Sequence, residues 1–327
     1  MRSLRDLPKA HLHAHLDGSY PLAAVHELAQ RRRKPFDRPD QFPDVWAFFD
    51  AYGTVPALVE TREDLAALCR ALVHQEAAEG VVYLEPAIEP QLYSGLGTLN
   101  DVTDTIVQAL AEAATDTGID VGATLTINTD ADEDIAIELA SVAAAFAGTG
   151  VTALGTAGFV EPAGLHRYTA AADKARAAGL PIVSHAGQTG GPDSVLEALD
   201  VLGASRLSHG FRSVEHPDLV ARLAAEQICC DVCPVSNVAL GVVADLASHP
   251  APALLSAGVP VTLNADDQLW FGVGITGQYD IARHTWGLDD HTLAEFARSG
   301  TYARGMSADT RASMATAIDI WLEEEPT

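Results

Sequence analysis

Six residues at the ends of short apolar runs have side chains that bind transition metals. They are four histidines and two aspartates, His13, His15, His185, His209, Asp266 and Asp267. Three imidazoles and a carboxylate can hold one divalent ion and leave a position open for water. Zinc bound in this way lowers the pKa of its water to about 7 and so supplies hydroxide near neutral pH. The residue types therefore predict metal-dependent hydrolysis.

The spacing of the first two histidines is informative. His13 and His15 are two residues apart in the extended segment "AHLHAHL", so both side chains point to the same side. A histidine taken alone is most often structural, and we interpret His11 as a buried, hydrogen-bonded residue. The coincidence of His13, His15, His185 and Asp266 at one edge favours a shared ion. We expect one zinc ion per chain.

The apolar runs that carry these residues alternate with helical segments. Eight candidate strands cover residues 10–16, 81–87, 121–127, 151–157, 181–187, 205–210, 228–233 and 259–266. Between them lie alanine-rich segments, for example one in which Val102, Ile106 and Leu110 follow helical spacing before Gly118. The alternation predicts an α/β fold with a parallel sheet. Eight such units favour a closed (β/α)8 TIM barrel over an open sheet, and no glycine-rich phosphate-binding sequence follows the first strand to argue otherwise.

A long interval between the first two strands interrupts this alternation. We predict a single barrel domain over residues 1–327, in which residues 20–80 form a helical insertion over the barrel mouth. The sequence "PDVWAFFDAYGTV" places four aromatic residues close together, Trp46, Phe48, Phe49 and Tyr52. They could form an apolar lid over a substrate or take part in ordinary helix packing, and the sequence leaves both interpretations open.

The charge composition excludes several classes of partner. The chain has 20 Lys and Arg against 45 Asp and Glu, a net charge of −25, which repels nucleic-acid backbones and anionic membrane surfaces. We therefore expect a small-molecule substrate, and neither nucleic acid nor a membrane as partner. The first residues lack the apolar stretch of a signal peptide, which predicts a cytoplasmic protein. The composition does not indicate an oligomeric state.

Six short motifs follow one another along residues 8–281. They are "LHAHLDG" (12–18), "AG" (157–158), "SHAG" (184–187), "SRLSHG" (205–210), "CPVSNV" (233–238) and "LNADD" (263–267). In this order they resemble the motifs of the adenosine deaminase family in the amidohydrolase superfamily. The resemblance implies a barrel hydrolase in which His13, His15, His185 and Asp266 hold zinc. It implies hydrolytic deamination of a purine-like or other amino-substituted heterocycle by zinc-activated water.

The resemblance also implies roles for residues around the metal. His209 would orient the attacking water and take its proton, and Asp267 would accept a hydrogen bond from the substrate. Gly158 would offer its backbone N–H to a ring nitrogen, and Asp17 would meet a sugar hydroxyl. No lysine ends the fourth strand at "GTAGF", so a second metal bridged by a carboxylated lysine is not expected.

One departure from the family lies at the centre of the chemistry. The family has a glutamate at the position of Gln188 in "HAGQTGGP", and that glutamate protonates a ring nitrogen as hydroxide adds to the neighbouring carbon. An amide can donate a hydrogen bond but cannot release a proton. A general acid typically contributes ~10²–10⁴-fold. We expect His209, Asp266 and Gln188 to form the catalytic set, with the acid function altered.

Further departures lie on the substrate side. Ala87 and Glu89 stand where the family has an arginine and a serine, and Asn128 stands where a basic residue is common. Gln268 rather than proline follows Asp267. Retained metal ligands beside altered substrate-facing residues predict a changed specificity, and we expect Glu89 to contact the substrate.

Three hypotheses follow. The first is a zinc aminohydrolase acting on an amino-substituted heterocycle, with the proton supplied by Glu89, Glu161, a water or the substrate. The second is another metal-dependent hydrolysis or addition–elimination at a C=N or C–N bond, in which Gln188 only donates a hydrogen bond. The third is a non-catalytic ligand-binding protein. Retention of His209 beside the complete metal-binding set argues against the third.

Overall fold

The computed structural model describes residues 1–158 and 164–325 and confirms the predicted barrel of parallel strands and helices. Its strands are β1 Lys9–His11, β2 Val81–Leu84, β3 Ala87–Ile88, β4 Asp120–Val121, β5 Ala123–Asn128, β6 Val151–Ala157, β7 Ile182–Ala186, β8 Ala204–His209, β9 Cys229–Val232 and β10 Val261–Leu263. Pro86 lies in the short break between β2 and β3, and Gly122 separates β4 from β5. Each of these pairs forms one interrupted barrel strand, which gives the eight predicted strands.

Two backbone bridges close the barrel. The strands are ordered β10-β9-β8-β7-β6-β5-β3 in one part of the sheet and β1-β2-β4 in the other. Ala14 pairs with Asp266 and His15 pairs with Ala87, which joins the two parts. The N–H of Asp266 donates to the carbonyl of His13 at 3.0 Å, and the N–H of His15 donates to the carbonyl of Asp266 at 2.9 Å. Closure therefore takes place at residues that are predicted to bind the metal.

The first strand is shorter than the sequence predicts. The apolar pattern covers residues 10–16, whereas β1 ends at His11. Beyond β1, the N–H groups of Leu12 and His13 both donate to Oδ1 of Asn264, at 2.8 and 3.1 Å. A side chain thus replaces the neighbouring strand as their hydrogen-bond acceptor. The short helix α1 (Leu16–Ser19) begins directly afterwards.

The remaining helices surround the sheet. They are α2 Leu22–Arg32, α3 Val45–Tyr52, α4 Arg62–Ala78, α5 Leu99–Thr117, α6 Glu133–Ala145, α7 Thr169–Ala177, α8 Gly191–Glu197, α9 Pro217–Glu226, α10 Pro234–Ala239, α11 Ala251–Ser256, α12 Gln268–Phe271, α13 Ile275–His284, α14 Asp290–Ser299 and α15 Ala308–Glu323. In α5, Thr98 and Asp101 form a capping box, and Gly118 ends the helix in the left-handed conformation, as the sequence predicts. Over residues 1–158 and 164–325, no helix is long and apolar enough to cross a membrane.

Residues 20–80 contain three helices with different surroundings. Helix α4 packs against α5 and β2, as expected for a helix that precedes a barrel strand. Helix α3 instead packs near the connection that follows β10. The ring of Phe48 is buried and stacks on Phe271, with the ring centroids 5.2 Å apart. Trp46, on the same helix, is 67% exposed.

The barrel interior contains a buried ion cluster. Arg206 on β8 pairs with Glu85 and, through Nε, with Oδ2 of Asp231 at 2.7 Å. Glu85 also accepts hydrogen bonds from the hydroxyls of Tyr83 and Thr124, at 2.6 and 3.1 Å. Buried charges are tolerated when they are paired and hydrogen-bonded. The cluster therefore connects strands β2, β8 and β9 below the mouth.

Candidate active site

The residues predicted to bind metal lie together at the C-terminal end of the barrel. Nε2 of His13 is 3.1 Å and Nε2 of His15 is 3.3 Å from the same oxygen, Oδ1 of Asp266. Nε2 of His15 is 3.2 Å from Nε2 of His185. Nε2 of His209 is 3.9 Å from the other oxygen of Asp266. All five side chains are buried.

Hydrogen bonds on the far side of the rings orient two of the histidines. Nδ1 of His13 donates to the carbonyl of Asp231 at 2.9 Å, and Nδ1 of His185 donates to the carbonyl of Thr156 at 2.5 Å. A neutral imidazole that donates through Nδ1 has its lone pair on Nε2. This carbonyl-to-histidine arrangement is typical of metal-binding imidazoles.

The donor set fits a divalent ion. Nε2 of His13 is buried and has no hydrogen-bond partner within the described parts of the chain, although buried polar atoms are normally satisfied. Two groups of side chains each have ligand atoms that lie within 4.8 Å of one another. The first group is His13, His185, His209 and Asp266, and the second is His15, Asp266 and Asp267. An ion among these atoms would supply the partner that Nε2 of His13 lacks.

The electrostatics of the cluster favour a cation. Burial opposes the charge of Asp266, but the imidazoles of His13, His15 and His209 together outweigh it and hold the pKa of Asp266 well below its usual value. Burial likewise opposes the protonation of His15, but the charge of Asp267 and the contact with Asp266 raise the pKa of His15 to about 10. Burial and the neighbouring His13 lower the pKa of His185 well below its usual value. The cluster therefore contains an ionised carboxylate and the unprotonated imidazole of His185, and its negative charge also holds a proton on His15.

Three positions at the strand ends have a left-handed backbone. φ is 71° at His209 and 61° at Asp266, although neither residue is glycine. Such conformations cost on the order of 1–3 kcal/mol and are concentrated at functional sites. Gly158 after β6 has φ of 85°, and a Cβ there would lie 2.9 Å from Oδ1 of Asn128. The backbone is thus held in conformations that place these residues at the barrel mouth.

A cleft opens beside the cluster. Its total empty volume, including the open mouth, is about 560 Å³, a size typical of small-molecule sites. Its wall combines metal-cluster residues with polar and apolar side chains, among them Glu89, Asn128, Gly158, Gln188, Asp267 and, from α3, Val45, Phe48, Phe49 and Tyr52. Gln188 is 9% exposed. The fold therefore brings Gln188, where the family resemblance implies an acid, and three predicted substrate contacts next to the predicted metal ligands.

Glu89 is a buried carboxyl on the cleft wall. Its Oε2 accepts hydrogen bonds from Nε2 of Gln91 at 3.1 Å and from Nδ2 of Asn128 at 3.4 Å. Burial raises the pKa of Glu89, against the opposing effect of His15. Burial also raises the pKa of Asp267 well above its usual value. Both carboxyls can therefore keep a proton at a higher pH than an exposed carboxyl can.

Asp17 lies in a different environment from these cleft residues. It is completely buried, and its Oδ1 accepts a hydrogen bond from the hydroxyl of Tyr93, which lies 3.2 Å from the hydroxyl of Tyr20. Burial and the charge of Glu89 raise the pKa of Asp17 well above its usual value. As far as the structure describes the cleft wall, Asp17 is not part of it. Glu161, considered above as a proton source, lies outside the described residues.

His11 lies next to the cluster but is satisfied by protein atoms. Its Nδ1 is 2.7 Å from Oε2 of Glu76, and its Nε2 accepts a hydrogen bond from the N–H of Ala265 at 3.1 Å. Because both ring nitrogens are occupied, His11 has no lone pair left for an ion. This agrees with its interpretation as a structural histidine.

Three polar residues that sequence reasoning did not select support the cluster. Oγ of Ser236 donates to Oδ2 of Asp266 at 2.5 Å, and Nδ2 of Asn237 lies 3.2 Å from Nδ1 of His209. Asn264 holds the backbone before His13, as described above. The signal was present, because all three lie in the motifs "CPVSNV" and "LNADD" at the ends of strands. Their partners, however, cannot be identified from spacing alone.

Comparison with known proteins relates this architecture to one family. The family model described as adenosine deaminase matches residues 8–321. An adenine deaminase of Chelativorans sp. is 35% identical over 316 residues, which cover 94% of this chain and 97% of that protein. The crystal structure of adenine deaminase from Arthrobacter aurescens has a TM-score of 0.90 at 28% identity, covering 97% of this chain and 99% of that one.

A second solved structure shows the same fold at lower identity. It is a crystal structure, with bound Zn, of an amidohydrolase from Burkholderia ambifaria, with a TM-score of 0.88 at 24% identity, covering 98% of this chain and 93% of that one. The matches extend over nearly the whole chain and include the strand ends that carry the cluster. The chain belongs to the adenosine deaminase family and is a deaminase-like hydrolase of carbon–nitrogen bonds.

Proposed function

We propose that this chain is a zinc-dependent deaminase of an adenine-type aminopurine. The observation that carries the proposal is the buried Nε2 of His13, which lies 3.1 Å from Oδ1 of Asp266 and has no hydrogen-bond partner among the residues described. His13, His15, His185 and Asp266 would hold one zinc ion, because imidazole ligands favour zinc over magnesium or calcium. When bound, zinc supplies a water with a pKa near 7, which is the nucleophile that the reaction needs.

The chain's own residues would position the water and the purine. His209, with Nε2 3.9 Å from Oδ2 of Asp266, orients the attacking oxygen. Asp267 on the cleft wall accepts a hydrogen bond from the substrate. Gly158 presents its backbone N–H to a ring nitrogen. These roles agree with the positions of all three residues around one cleft.

Glu89 would provide the proton that Gln188 cannot release. Addition of hydroxide to the ring places negative charge on a ring nitrogen, which then requires a proton. Glu89 lines the same cleft as Gln188, and burial raises its pKa. Gln188 would hold the ring by donating a hydrogen bond from its amide. The acid function would thus lie on a different wall of the cleft.

The polarity of the cleft favours a free nucleobase over a nucleotide. Over the described part of its wall, the cleft has carboxyl and amide groups but no lysine or arginine, so it lacks the side chains that usually pair with a phosphate. Asp17, expected to meet a sugar hydroxyl, accepts a hydrogen bond from Tyr93 instead. The most similar relatives reported above are adenine deaminases, which agrees with a substrate that lacks the sugar.

Residues 20–80 would act as a lid in this reaction. Val45, Phe48, Phe49 and Tyr52 of α3 form the apolar side of the cleft. An aromatic surface suits a purine ring, because both faces of the ring are apolar. Excluding water from the closed cleft would also strengthen the electrostatic interactions at the metal.

The glutamine at position 188 favours one second candidate. In that case the natural reaction is a metal-dependent hydrolysis at a C–N or C=N bond of a substrate other than an aminopurine, and Gln188 contributes only a hydrogen bond. The metal cluster would serve both reactions in the same way. The two candidates differ in the leaving group and in the need for an acid.

The test measures ammonia release by zinc-loaded protein from adenine, adenosine, 2'-deoxyadenosine, AMP and aminopyrimidines. His209→Ala serves as the blank, and His291→Ala, at an exposed position on α14, serves as the matched control. We expect ammonia release from adenine that requires His209, and no ammonia release from AMP. Absence of release from every compound, with one zinc per chain measured by mass spectrometry, would overturn the aminopurine assignment and favour the second candidate.

A further inference from the structure

A chain of buried hydrogen bonds leads from a helix N-terminus to His209. The N–H of Ala251, at the start of α11, donates to Nδ1 of His249 at 3.1 Å. Nε2 of His249 lies 3.1 Å from Oδ1 of Asn237, and Nδ2 of Asn237 lies 3.2 Å from Nδ1 of His209. The side chains of His209, Asn237 and His249 are all buried.

The first link fixes the direction of all the others. A backbone N–H can only donate, so Nδ1 of His249 must accept, and the hydrogen of a neutral His249 is on Nε2. Oδ1 of Asn237 then accepts from His249, which turns the amide NH₂ group toward His209. Nδ1 of His209 therefore accepts as well, and the hydrogen of neutral His209 is on Nε2, which faces Asp266.

The surroundings of His249 keep it neutral and in place. Its ring stacks on Trp286, with centroids 5.7 Å apart and an interplanar angle of 25°, and contacts Phe211 at 5.5 Å. Nε1 of Trp286 donates to the carbonyl of Leu246 at 2.6 Å, which holds the stack. Burial lowers the pKa of His249 to about 4. Neither ring nitrogen of His249 can reverse its role without breaking a buried hydrogen bond.

We propose that Asn237 and His249 are positioning residues that fix His209 in the tautomer with its hydrogen on Nε2. It follows, on the basis of the proposed function, that His209 donates a hydrogen bond to the attacking oxygen rather than taking its proton. The family resemblance implies the opposite role for this histidine. The relay explains why two buried polar side chains outside the cleft are directed at one member of the site.

A second consequence concerns the proton of the attacking water. Neutral His209 in this tautomer has no lone pair toward the cleft, so the proton must pass to another group. The reaction needs that proton on the leaving amino group, which departs as ammonia. His209 would keep its own hydrogen throughout and hold the oxygen in line with the ring.

The tautomer can be measured directly by NMR on zinc-loaded protein with ¹⁵N-labelled histidine. In the unaltered protein we expect a protonated Nε2 and an unprotonated Nδ1 at His209. Asn237→Asp replaces the amide by an isosteric carboxylate that accepts from both neighbours, so His209 should switch to the tautomer with its hydrogen on Nδ1. His249→Phe keeps the aromatic stack but removes the link, and it should give a mixture of tautomers.

The matched control is His216→Phe. His216 accepts a backbone N–H at the start of α9 through Nδ1, at 3.3 Å, much as His249 does at α11, but it is exposed and outside the relay. His216→Phe should leave the His209 signals unchanged. A proton on Nδ1 of His209 in the unaltered protein, or unchanged His209 signals in both relay variants, would overturn the proposal.

Kinetics give a second readout. Where adenine is deaminated, Asn237→Asp should lower kcat by about 10²-fold or more at unchanged zinc content, because an inverted catalytic tautomer can cost up to about 10⁴-fold. KM should change little, since Asn237 does not line the cleft. The two proposals can fail separately. If only the proposed function is wrong, NMR still shows the expected tautomer of His209 while no ammonia is released.

Discussion

Gln188→Glu is the substitution that most directly tests how this site supplies a proton. The change exchanges an amide for a carboxyl of nearly the same shape, so the packing of the cleft is preserved. Gln188 is 9% exposed and lines the cleft with Glu89 and Asp267. The new carboxyl would therefore be largely desolvated and close to two other acidic groups. Both influences favour the protonated form, which is the form that a general acid needs.

The expected gain follows from this environment. A positioned general acid contributes ~10²–10⁴-fold, which corresponds to a barrier lowered by about 2.7–5.4 kcal/mol. Because Glu89 already supplies a proton in the proposed mechanism, the added acid should give a gain near the lower limit. We therefore expect kcat/KM for adenine to rise by about 10²-fold. The gain should appear mainly in kcat, since Gln188 and a glutamic acid can both hold the ring by a hydrogen bond.

The assay is ammonia release from adenine over a range of concentrations, with zinc content and circular dichroism measured on the same samples. Gln108→Glu is the matched control, because Gln108 is exposed on α5 and does not line the cleft. This variant introduces the same chemical change and should leave the rate unaltered. The double variant Gln188→Glu with Glu89→Gln separates the two acids, and it should recover activity that Glu89→Gln alone loses.

One result would refute this reasoning. A folded Gln188→Glu protein with a full complement of zinc that deaminates adenine no faster than the unaltered chain would show that the position does not limit proton supply. If the variant also lost the natural activity, the amide itself would be required. The substrate would then be one that needs a hydrogen bond from Gln188 and no proton.

Three further predictions concern stability and metal content. Removing zinc with a chelator should abolish activity and lower Tm by about 6 °C for an ion present at about 1,000 times its Kd. A Tm of Asp266→Asn that still depends on zinc would contradict this prediction. Arg206→Met leaves the charges of Glu85 and Asp231 unpaired and should cost about 3–5 kcal/mol in urea unfolding. The control Arg298→Met removes an exposed ion pair and should cost less than about 1 kcal/mol. Equal losses of unfolding free energy in the two variants would disprove the stabilising role of the buried ion cluster. The pKa of His249 is lowered from 6.5 to about 4, so this histidine takes up a proton more readily in the unfolded chain than in the folded one. The free energy of unfolding should therefore have its full value above pH 6.5 and decrease as the pH falls toward 4. Between pH 7.5 and 4.5, the free energy of unfolding should fall by about 2.5 kcal/mol less in His249→Phe than in the unaltered protein. The same pH profile in both proteins would argue against a neutral, buried His249.

Much of the fold could be predicted from local patterns, because a buried parallel strand is a continuous apolar run. The runs at 151–157 and 181–187 correspond to β6 and β7 almost residue for residue. The meeting of the histidines and aspartates could be predicted for a related reason. In a barrel every strand ends at the same mouth, so histidines at strand ends must meet even when they are far apart in sequence.

Other features depend on which side chains meet, and that information is not local. β1 ends at His11 because Asn264, more than 250 residues away, takes over the backbone hydrogen bonds. Asp17 is covered because Tyr93 folds back over it. The relay through Asn237 and His249 requires the end of β8, α10 and α11 to be correctly placed. None of these pairings follows a spacing rule, and only the assembled barrel shows them.

The two halves of the chemistry depend on the fold to different degrees. His13 and Asp266 hydrogen-bond to each other through their backbones as part of barrel closure, so a change there would disturb the sheet as well as the metal. Gln188 and Glu89 lie on segments that follow strands, where a new side chain costs the barrel little. Specificity and proton supply can therefore change while the metal centre is kept. A glutamine where the family resemblance implies the acid, beside the complete set of proposed metal ligands, is the combination that this difference in structural constraint predicts.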